Sequence, residues 1–190
     1  MQPHPPPPSS TNPPQISLPT QPLARQTRPV NSREKLITHS SLPTWRAAQR
    51  QSGKRLVVTN GCFDLLHLGH VTYLEQARTF GDLLLVGINS DAGVRQLKGP
   101  ERPVNTASDR AAVVAALACV DAVCIFEETS AANFLAAAQP DTYVKGGDYS
   151  LESINQEERR VVERTGGQII IVALIPGKST TSLLARIAKL

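Results

Sequence analysis

The sequence predicts an α/β fold in which a doubly wound parallel sheet of about five strands carries helices on both faces. One observation is that apolar runs recur along the chain and each is followed by apolar residues at helical spacing. A second is that the runs are nearly continuous rather than alternating, which is typical of parallel strands buried on both faces. The predicted strands are residues 55–59, 82–88, 122–126, 142–145 and 168–174.

The helices between these strands have recognisable faces and ends. In the first, Val71, Leu74 and Ala77 share one face, and Gly81 is the expected C-terminal cap. The other helices are predicted from Thr106 to Ala118, Thr129 to Ala138, Leu151 to Arg164 and Thr181 to Leu190.

A proline-rich segment precedes this pattern. Ten of the 15 prolines fall before Asn31, with four in succession from Pro5 to Pro8. Such a segment buries too little apolar surface to offset the entropy lost on ordering. We therefore predict a disordered tail over residues 1–40 and one folded domain over residues 41–190, with docking to a proline-binding domain as the alternative to a passive tail.

Composition argues against several classes of protein. The net charge is +4, but the chain after residue 30 holds 18 basic and 16 acidic residues. Aromatic residues make up only 4% of the chain, and no basic run is interleaved with them, so no nucleic-acid partner is predicted. No apolar run approaches the ~20 residues of a membrane span, so no membrane partner is predicted either. The N-terminus lacks the layout of a secretory signal, although its shortage of acidic residues leaves a transit peptide open.

The three cysteines predict neither a disulfide framework nor a zinc site. Cys62, Cys119 and Cys124 form no Cys-x-x-Cys pair and lie in or beside apolar runs. We expect them to be reduced thiols of a cytoplasmic protein. With only four histidines and no Cys/His cluster, a structural zinc site is not expected.

Ligands of doubly wound sheets bind beyond the carboxyl ends of the strands. That rule selects four loops of this chain before any motif is considered. They are residues 60–69, 89–104, 146–149 and 176–181.

The first of these loops contains two histidines three residues apart. His67 and His70 flank Gly69 between a strand and the start of a helix, where backbone N–H groups and the helix dipole favour an anion. Two alternatives stay open here: a metal site that the pair forms with Asp64, and local hydrogen bonds alone. The glycine patterns of dinucleotide-binding turns and of phosphate-binding kinase loops are absent after this strand, which disfavours dehydrogenases and P-loop kinases.

The stretch Thr59 to His70 resembles the HxGH nucleotidyltransferases, which have a Rossmann-like, cytidylyltransferase-like fold. Six stretches together are similar, more closely, to the D-glycero-β-D-manno-heptose 1-phosphate adenylyltransferases, a family that often forms one half of a bifunctional kinase–adenylyltransferase. The resemblance covers roughly residues 45–190. The six stretches are Thr59 to His70, Asn89 to Asp91, Leu97 to Gly99, Arg102 to Asn105, Val144 to Tyr149 and Ser179 to Thr181.

This resemblance implies transfer of AMP from ATP to a sugar 1-phosphate, with release of pyrophosphate. It also implies a homodimer, Mg²⁺ carried on the pyrophosphate leaving group without a predicted protein ligand, and a separate kinase that supplies the sugar 1-phosphate. The implied catalytic residues are His67, His70 and Lys98. The implied nucleotide-binding residues are Cys62, Phe63, His67, His70, Gly177, Ser179, Thr180 and Thr181. The implied acceptor-binding residues are Asp64, Lys98, Lys145 and Asp148.

Taken one by one, these residues also have structural interpretations. The structural alternatives are a solvated loop lysine for Lys98, a helix or turn cap for Asp148, and an N-cap cluster for the run from Ser179 to Thr181. Arg110 is expected to be a surface residue or an ion-pair partner. Two other functions stay open at this point: a cytidylyltransferase acting on glycerol 3-phosphate or a phosphorylated amino alcohol, and a non-catalytic nucleotide-binding module.

Overall fold

A parallel sheet of six strands lies at the centre of the computed structural model, which describes residues 31–147, 150–173, 175, 177 and 179–189. Near-continuous burial along the central strands explains their apolar sequences. The strands are β1 (Leu36–Ile37), β2 (Leu56–Gly61), β3 (Leu83–Asn89), β4 (Ala122–Phe126), β5 (Thr142–Gly146) and β6 (Gln168–Val172).

Helices cover both faces of this sheet. On one face α1, α5 and α6 pack through residues such as Leu42, Phe134 and Val162. On the other face α2 and α4 pack through residues such as Leu74 and Val114. None of the described helices combines the length and the apolar character that crossing a membrane requires. The helices are α1 (Leu42–Gln51), α2 (Leu68–Arg78), α3 (Asp91–Lys98), α4 (Ala107–Ala115), α5 (Ala132–Ala138), α6 (Gln156–Arg164) and α7 (Thr180–Ile187), with a 3₁₀ helix at Ser32–Lys35.

The strand order is β1-β4-β3-β2-β5-β6, and every pairing is parallel. From β2 the chain moves through β3 to β4 and then crosses to β5 on the other side of β2. The direction of winding therefore reverses between β2 and β5, and doubly wound sheets bind ligands at such a switch point.

The predicted α/β class and doubly wound parallel sheet are confirmed, and each of the five predicted strands lies within two residues of its expected bounds. The prediction of a loop over residues 89–104 is wrong in part, because α3 occupies Asp91–Lys98. Ser90 begins that helix, since its hydroxyl accepts a hydrogen bond from the Gly93 N–H at 3.2 Å. The predicted helix from Leu151 begins only at Gln156, because the Asn155 side chain caps it there.

Strand β1 is a sixth strand that the apolar pattern does not indicate. It has only two residues, too few to form a pattern, and pairs with β4 at the sheet edge. The Lys35 ammonium beside it donates to the carbonyl oxygens of Leu117 at 3.1 Å and Val120 at 2.7 Å. The region that the structure describes thus includes residues 31–40, which the sequence analysis assigned to the tail.

Candidate active site

A cleft of about 600 Å³ lies at the carboxyl ends of the strands, at the switch point between β2 and β5. This is the size of an ordinary small-molecule site. Segments from all four predicted loops border it. Of the predicted site residues, Cys62, Phe63, Asp64, His67, His70, Lys98, Lys145, Ser179, Thr180 and Thr181 line this cleft.

Gly177 is a predicted site residue that does not line the cleft. It lies three residues before the first residue of α7 with φ +73°, a conformation that glycine adopts without strain. Its carbonyl oxygen accepts from the Ser182 hydroxyl at 3.3 Å. Asp148 lies outside the described residues.

The two histidines stand at the N-terminus of α2. His67 is the N-cap residue, and its carbonyl oxygen accepts from the His70 N–H at 2.9 Å. The imidazole rings stack with centroids 3.9 Å apart, and the Phe63 ring lies 5.2 Å from that of His70. Both Nδ1 atoms are buried and have no hydrogen-bond partner among the described residues. The helix terminus therefore presents unpaired N–H groups at one end of the cleft, beside the two imidazole rings.

The histidine pair is uncharged in the free protein at neutral pH. Burial lowers the pKa of His70 to about 4, and the neighbouring His67 acts in the same direction. Burial also lowers the pKa of His67. A bound phosphate supplies the negative charge that favours protonation, so proton uptake by the pair is coupled to binding of an anion.

Asp64 fixes the segment that follows α3. Its carboxylate is almost completely buried and accepts from Arg102 Nε at 2.6 Å, from the Val104 N–H at 2.8 Å and from the Asn105 N–H at 3.0 Å. Burial, the largest single influence, acts to raise the pKa of Asp64, but these N–H donors and the guanidinium together hold it below its ordinary value. The structure thus gives Asp64 protein partners, and its predicted contact with substrate stays a prediction.

Arg110 is a buried residue that contacts backbone segments bordering the cleft, not a surface residue. Its guanidinium donates to the carbonyl oxygens of Cys62, of Asn89 at 2.8 Å and of Asn105. It also pairs with Asp91 at 2.8 Å. It therefore ties the loop after β2 to the end of β3 and the start of α3. The ion pair was among the roles expected for Arg110, whereas its burial was not.

Lys98 ends α3 at the rim of the cleft, with an exposed side chain. Burial raises the pKa of the Cys62 thiol, and the positive charge of Lys98 is the largest influence that opposes it. A cation is thus held near the loop that precedes the histidine pair.

Lys145 is the penultimate residue of β5, on the other side of the switch point. Its ammonium pairs with Glu158 of α6 at 3.1 Å and donates to Asn60 Oδ1 at 3.1 Å. Asn60 and Glu158 also line the cleft, and the sequence analysis selected neither. Nothing in the sequence marks Glu158, because it stands in a helix rich in charged residues.

The start of α7 forms a further part of the cleft. Ser179 is its N-cap, and its hydroxyl accepts from the Ser182 N–H at 3.1 Å. The structural interpretation of the serine–threonine run is therefore confirmed for Ser179. Thr180 and Thr181 follow it in the first turn and border the cleft, where N–H groups of a helix terminus suit an anion.

No group of three histidine, cysteine, aspartate or glutamate side chains within the described ranges could hold a metal ion. The carboxylate nearest the histidine loop, Asp64, already accepts from N–H donors. These residues fit a divalent ion that arrives on a ligand's phosphates better than one held by a protein cage.

Comparison with protein families gives one match. The family model described as "Cytidylyltransferase-like" matches residues 58–183 of the chain. That range contains β2, the histidine loop and the start of α7.

Several curated relatives share the name "Bifunctional protein HldE". The one from Geotalea uraniireducens is 54% identical over 140 residues, 74% of this chain and 28% of its own length. The one from Geobacter sulfurreducens is 50% identical over 143 residues, 75% of this chain and 29% of its own. The one from Koribacter versatilis is 47% identical over 164 residues, 86% of this chain and 33% of its own. The chain thus spans about a third of the length of these relatives.

Two solved structures are similar in fold. A lipopolysaccharide core biosynthesis protein from Thermoplasma volcanium matches with a TM-score of 0.54 and 27% identity, over 65% of this chain and 98% of its own. A pantoate-beta-alanine ligase from Francisella tularensis matches with a TM-score of 0.50 and 11% identity, over 73% of this chain and 66% of its own. The second likeness concerns the fold alone.

Proposed function

The chain belongs to the cytidylyltransferase-like family, and on that premise we propose that it is an adenylyltransferase. It transfers AMP from ATP to D-glycero-β-D-manno-heptose 1-phosphate and releases pyrophosphate, forming ADP-heptose. One observation carries the chemistry: the stacked pair of His67 and His70 shares a cleft with Lys98, Lys145 and the first turn of α7.

The reaction joins an oxygen of the acceptor phosphate to the α-phosphorus of ATP while the bond to pyrophosphate breaks. That oxygen is already an anion near neutral pH, so the nucleophile needs no strong base. The protein contributes position and stabilisation of charge, which dominate phosphoryl-type transfer. The cleft contains donors for this task and requires no relay of serine, histidine and aspartate.

The histidine pair acts on the α-phosphate in this proposal. His67 and His70 donate to its oxygens, and the N-terminus of α2 adds the positive end of its dipole. Both imidazoles are neutral before the nucleotide arrives. The negative charge of the phosphate then raises their pKa values as it binds. The charge on the site thus appears together with the ligand that needs it.

The β- and γ-phosphates lie at the start of α7, where Thr180 and Thr181 present hydroxyl and N–H donors. Lys98 and Lys145 neutralise phosphate oxygens of the acceptor. Mg²⁺, when bound, neutralises charge on the pyrophosphate as it leaves. The absence of a metal-holding cluster among the described residues supports its entry with ATP.

The relatives support heptose 1-phosphate as the acceptor. They are named as bifunctional proteins, and this chain matches about a third of their length at 47–54% identity. The motifs that resemble the heptose 1-phosphate adenylyltransferases fall at the cleft, including Lys98, Arg102 and Lys145. We propose further that a kinase with a separate active site makes the sugar 1-phosphate, and that the protein acts as a homodimer.

The compartment belongs to the same proposal. Cys62, Cys119 and Cys124 are free thiols, which supports a reducing cytoplasm. Light scattering after size-exclusion chromatography tests the dimer.

The activity test is pyrophosphate release with Mg²⁺, with ATP and CTP each offered heptose 1-phosphate, hexose 1-phosphates and glycerol 3-phosphate. We expect release with ATP and heptose 1-phosphate. His67→Ala should lower the rate by ~10²–10³-fold, whereas His39→Ala, at an exposed histidine that does not line the cleft, should not. Release with CTP and glycerol 3-phosphate would replace this assignment by the cytidylyltransferase, and silence with every pair would favour a nucleotide-binding module.

A further inference from the structure

Glu158 is a buried carboxylate in the first turn of α6 that the proposed reaction does not use. Only 4% of the residue is exposed. Its Oε1 accepts from the Ala131 N–H at 2.9 Å, and its Oε2 lies 2.7 Å from the Tyr143 hydroxyl and 3.1 Å from the Lys145 ammonium. A carboxylate this buried is stable only with such partners, so its position is set by all three.

The same contacts fix Lys145. A lysine side chain has four rotatable bonds and ordinarily moves freely. Here its ammonium is held from two sides, by Glu158 and by Asn60 Oδ1, and its side chain is 18% exposed. The Tyr143 hydroxyl, 2.6 Å from Asn60 Oδ1 and 2.7 Å from Glu158 Oε2, joins the two acceptors.

The donors of this ammonium can be counted. A lysine ammonium has three N–H donors and no acceptor. Two are used by Glu158 and Asn60, and the third has no hydrogen-bond acceptor among the described residues, where the ammonium also lies over the Tyr143 ring at 5.3 Å from its centroid. Since Lys145 borders the cleft, that donor is left for a ligand there.

The residues around Lys145 indicate which ligand binds to this third N–H donor. Asn60 and Asn155 place side-chain amide groups on this side of the cleft. An acceptor with several hydroxyls and one phosphate matches such a surface, whereas the triphosphate already has the histidine pair and the start of α7.

We propose that Glu158 is a positioning residue that, together with Asn60, holds the Lys145 ammonium in place for the phosphate group of the acceptor sugar. This inference rests on the proposed function and deepens it. Glu158 acts through Lys145 and touches neither substrate. Its loss therefore weakens acceptor binding only while Lys145 is present.

A double-mutant cycle tests this dependence. Glu158→Gln should raise the KM for heptose 1-phosphate roughly tenfold and change the KM for ATP less than about twofold. Lys145→Met should raise the acceptor KM at least as much, and the double variant should be no worse than Lys145→Met alone. Fold-changes that multiply in the double variant, or equal changes in both KM values, would overturn the inference.

A neighbouring glutamate provides the matched control. Glu157 stands in the same turn of α6, and its Oε2 accepts from the exposed Ser130 hydroxyl at 3.2 Å. Glu157→Gln should leave both KM values unchanged. Should Glu158→Gln fail to fold, Asn60→Ala removes the other acceptor of the ammonium and should also raise the acceptor KM selectively, and an unchanged KM there would count against the inference.

Direct binding separates this inference from the proposed function. Titration calorimetry with heptose 1-phosphate in the absence of ATP needs no turnover, and Glu158→Gln should weaken binding by a similar factor. A wild-type protein that releases no pyrophosphate overturns the proposed function. An active wild-type protein whose Glu158→Gln variant binds and turns over normally overturns the role of Glu158 alone.

Discussion

The imidazole rings of His67 and His70 stack with their centroids 3.9 Å apart and their planes 23° from parallel. Burial and the proximity of His67 together lower the pKa of His70 to about 4. Two positive charges at this separation would repel each other strongly in a partly desolvated site. Near neutral pH the pair therefore becomes charged only when a ligand provides the opposite charge.

Substitution of one ring should change the titration of the other. His67→Asn is expected to raise the pKa of His70, because it removes the neighbouring ring that can become charged. The value should stay below 6.5, since burial is the larger cause and remains. An NMR titration of the histidine ring protons measures the shift, with the exposed His39 as an internal reference. An unchanged midpoint for His70 would show that burial alone sets its pKa.

The same pKa predicts how stability depends on pH. His70 titrates near 4 when folded and near 6.5 when unfolded, so between these values the unfolded chain binds more protons. The free energy of unfolding should therefore fall as the pH drops from 6.5 toward 4. His70→Asn should make this fall less steep, which urea unfolding at pH 7 and pH 5 would measure. Equal pH dependence in the two proteins would contradict the assignment.

Asp64→Asn should loosen the segment after α3. The substitution removes a buried charge that faces Arg102 and two backbone N–H groups, and breaking such an arrangement typically costs about 3–5 kcal/mol. Asp82→Asn is the matched control, because Asp82 is half exposed and its 3.8 Å pairing with Arg55 should contribute less than about 1 kcal/mol. Urea unfolding of both variants checks the difference. Similar losses would mean that Asp64 does not hold this segment.

The parts of the site that the sequence predicts are those with a local pattern. A buried strand followed by His67, Gly69 and His70 before a helix favours an anion site, and the structure has that order of elements. The switch-point rule then selects the loops, because parallel strands end at one edge. The position of Lys98 was predicted in the same way, although α3 replaces much of its expected loop.

The residues that sequence reasoning missed act through contacts distant in sequence. Glu158 belongs to a helix whose charged residues indicate a solvated face, yet it reaches Tyr143 and Ala131 of other elements. Arg110 lies in an alanine-rich helix and binds carbonyl groups up to 48 residues away. No periodic pattern encodes such contacts, since each depends on where the whole sheet places a single side chain.

Arg110→Lys should damage the cleft even though it keeps the charge. Lysine cannot reproduce the fork by which Arg110 reaches Cys62, Asn89 and Asp91, so buried carbonyl groups lose their donors at about 1–3 kcal/mol each. Arg78→Lys is the comparison, because Arg78 forms a partly exposed pair with Asp121 at 2.9 Å. Thermal unfolding and the KM for ATP should both change in the first variant only. A stable, fully active Arg110→Lys protein would contradict the role of the guanidinium.

Substitution of Asn89 tests whether a buried polar group of the cleft serves ligand binding while it lowers the stability of the protein. Asn89 lines the cleft, and its Nδ2 is buried and has no hydrogen-bond partner among the described residues. An unpaired buried donor is unfavourable by about 1–3 kcal/mol, so Asn89→Leu should leave the free energy of unfolding unchanged or raise it. If a substrate oxygen pairs with this amide, the same variant should lose kcat/KM by at least about tenfold.

Asn105→Leu is the same chemical change, but we expect the opposite effect on the stability of the protein. The Asn105 amide already donates to the Asp64 carbonyl oxygen at 2.8 Å, so its loss should destabilise the protein by about 1 kcal/mol. Denaturant unfolding and pyrophosphate release, measured on both variants, separate the two cases. An Asn89→Leu protein that is destabilised like Asn105→Leu would mean that the Asn89 amide has a partner in the folded protein. One that is stable and fully active would mean that no substrate pairs with it.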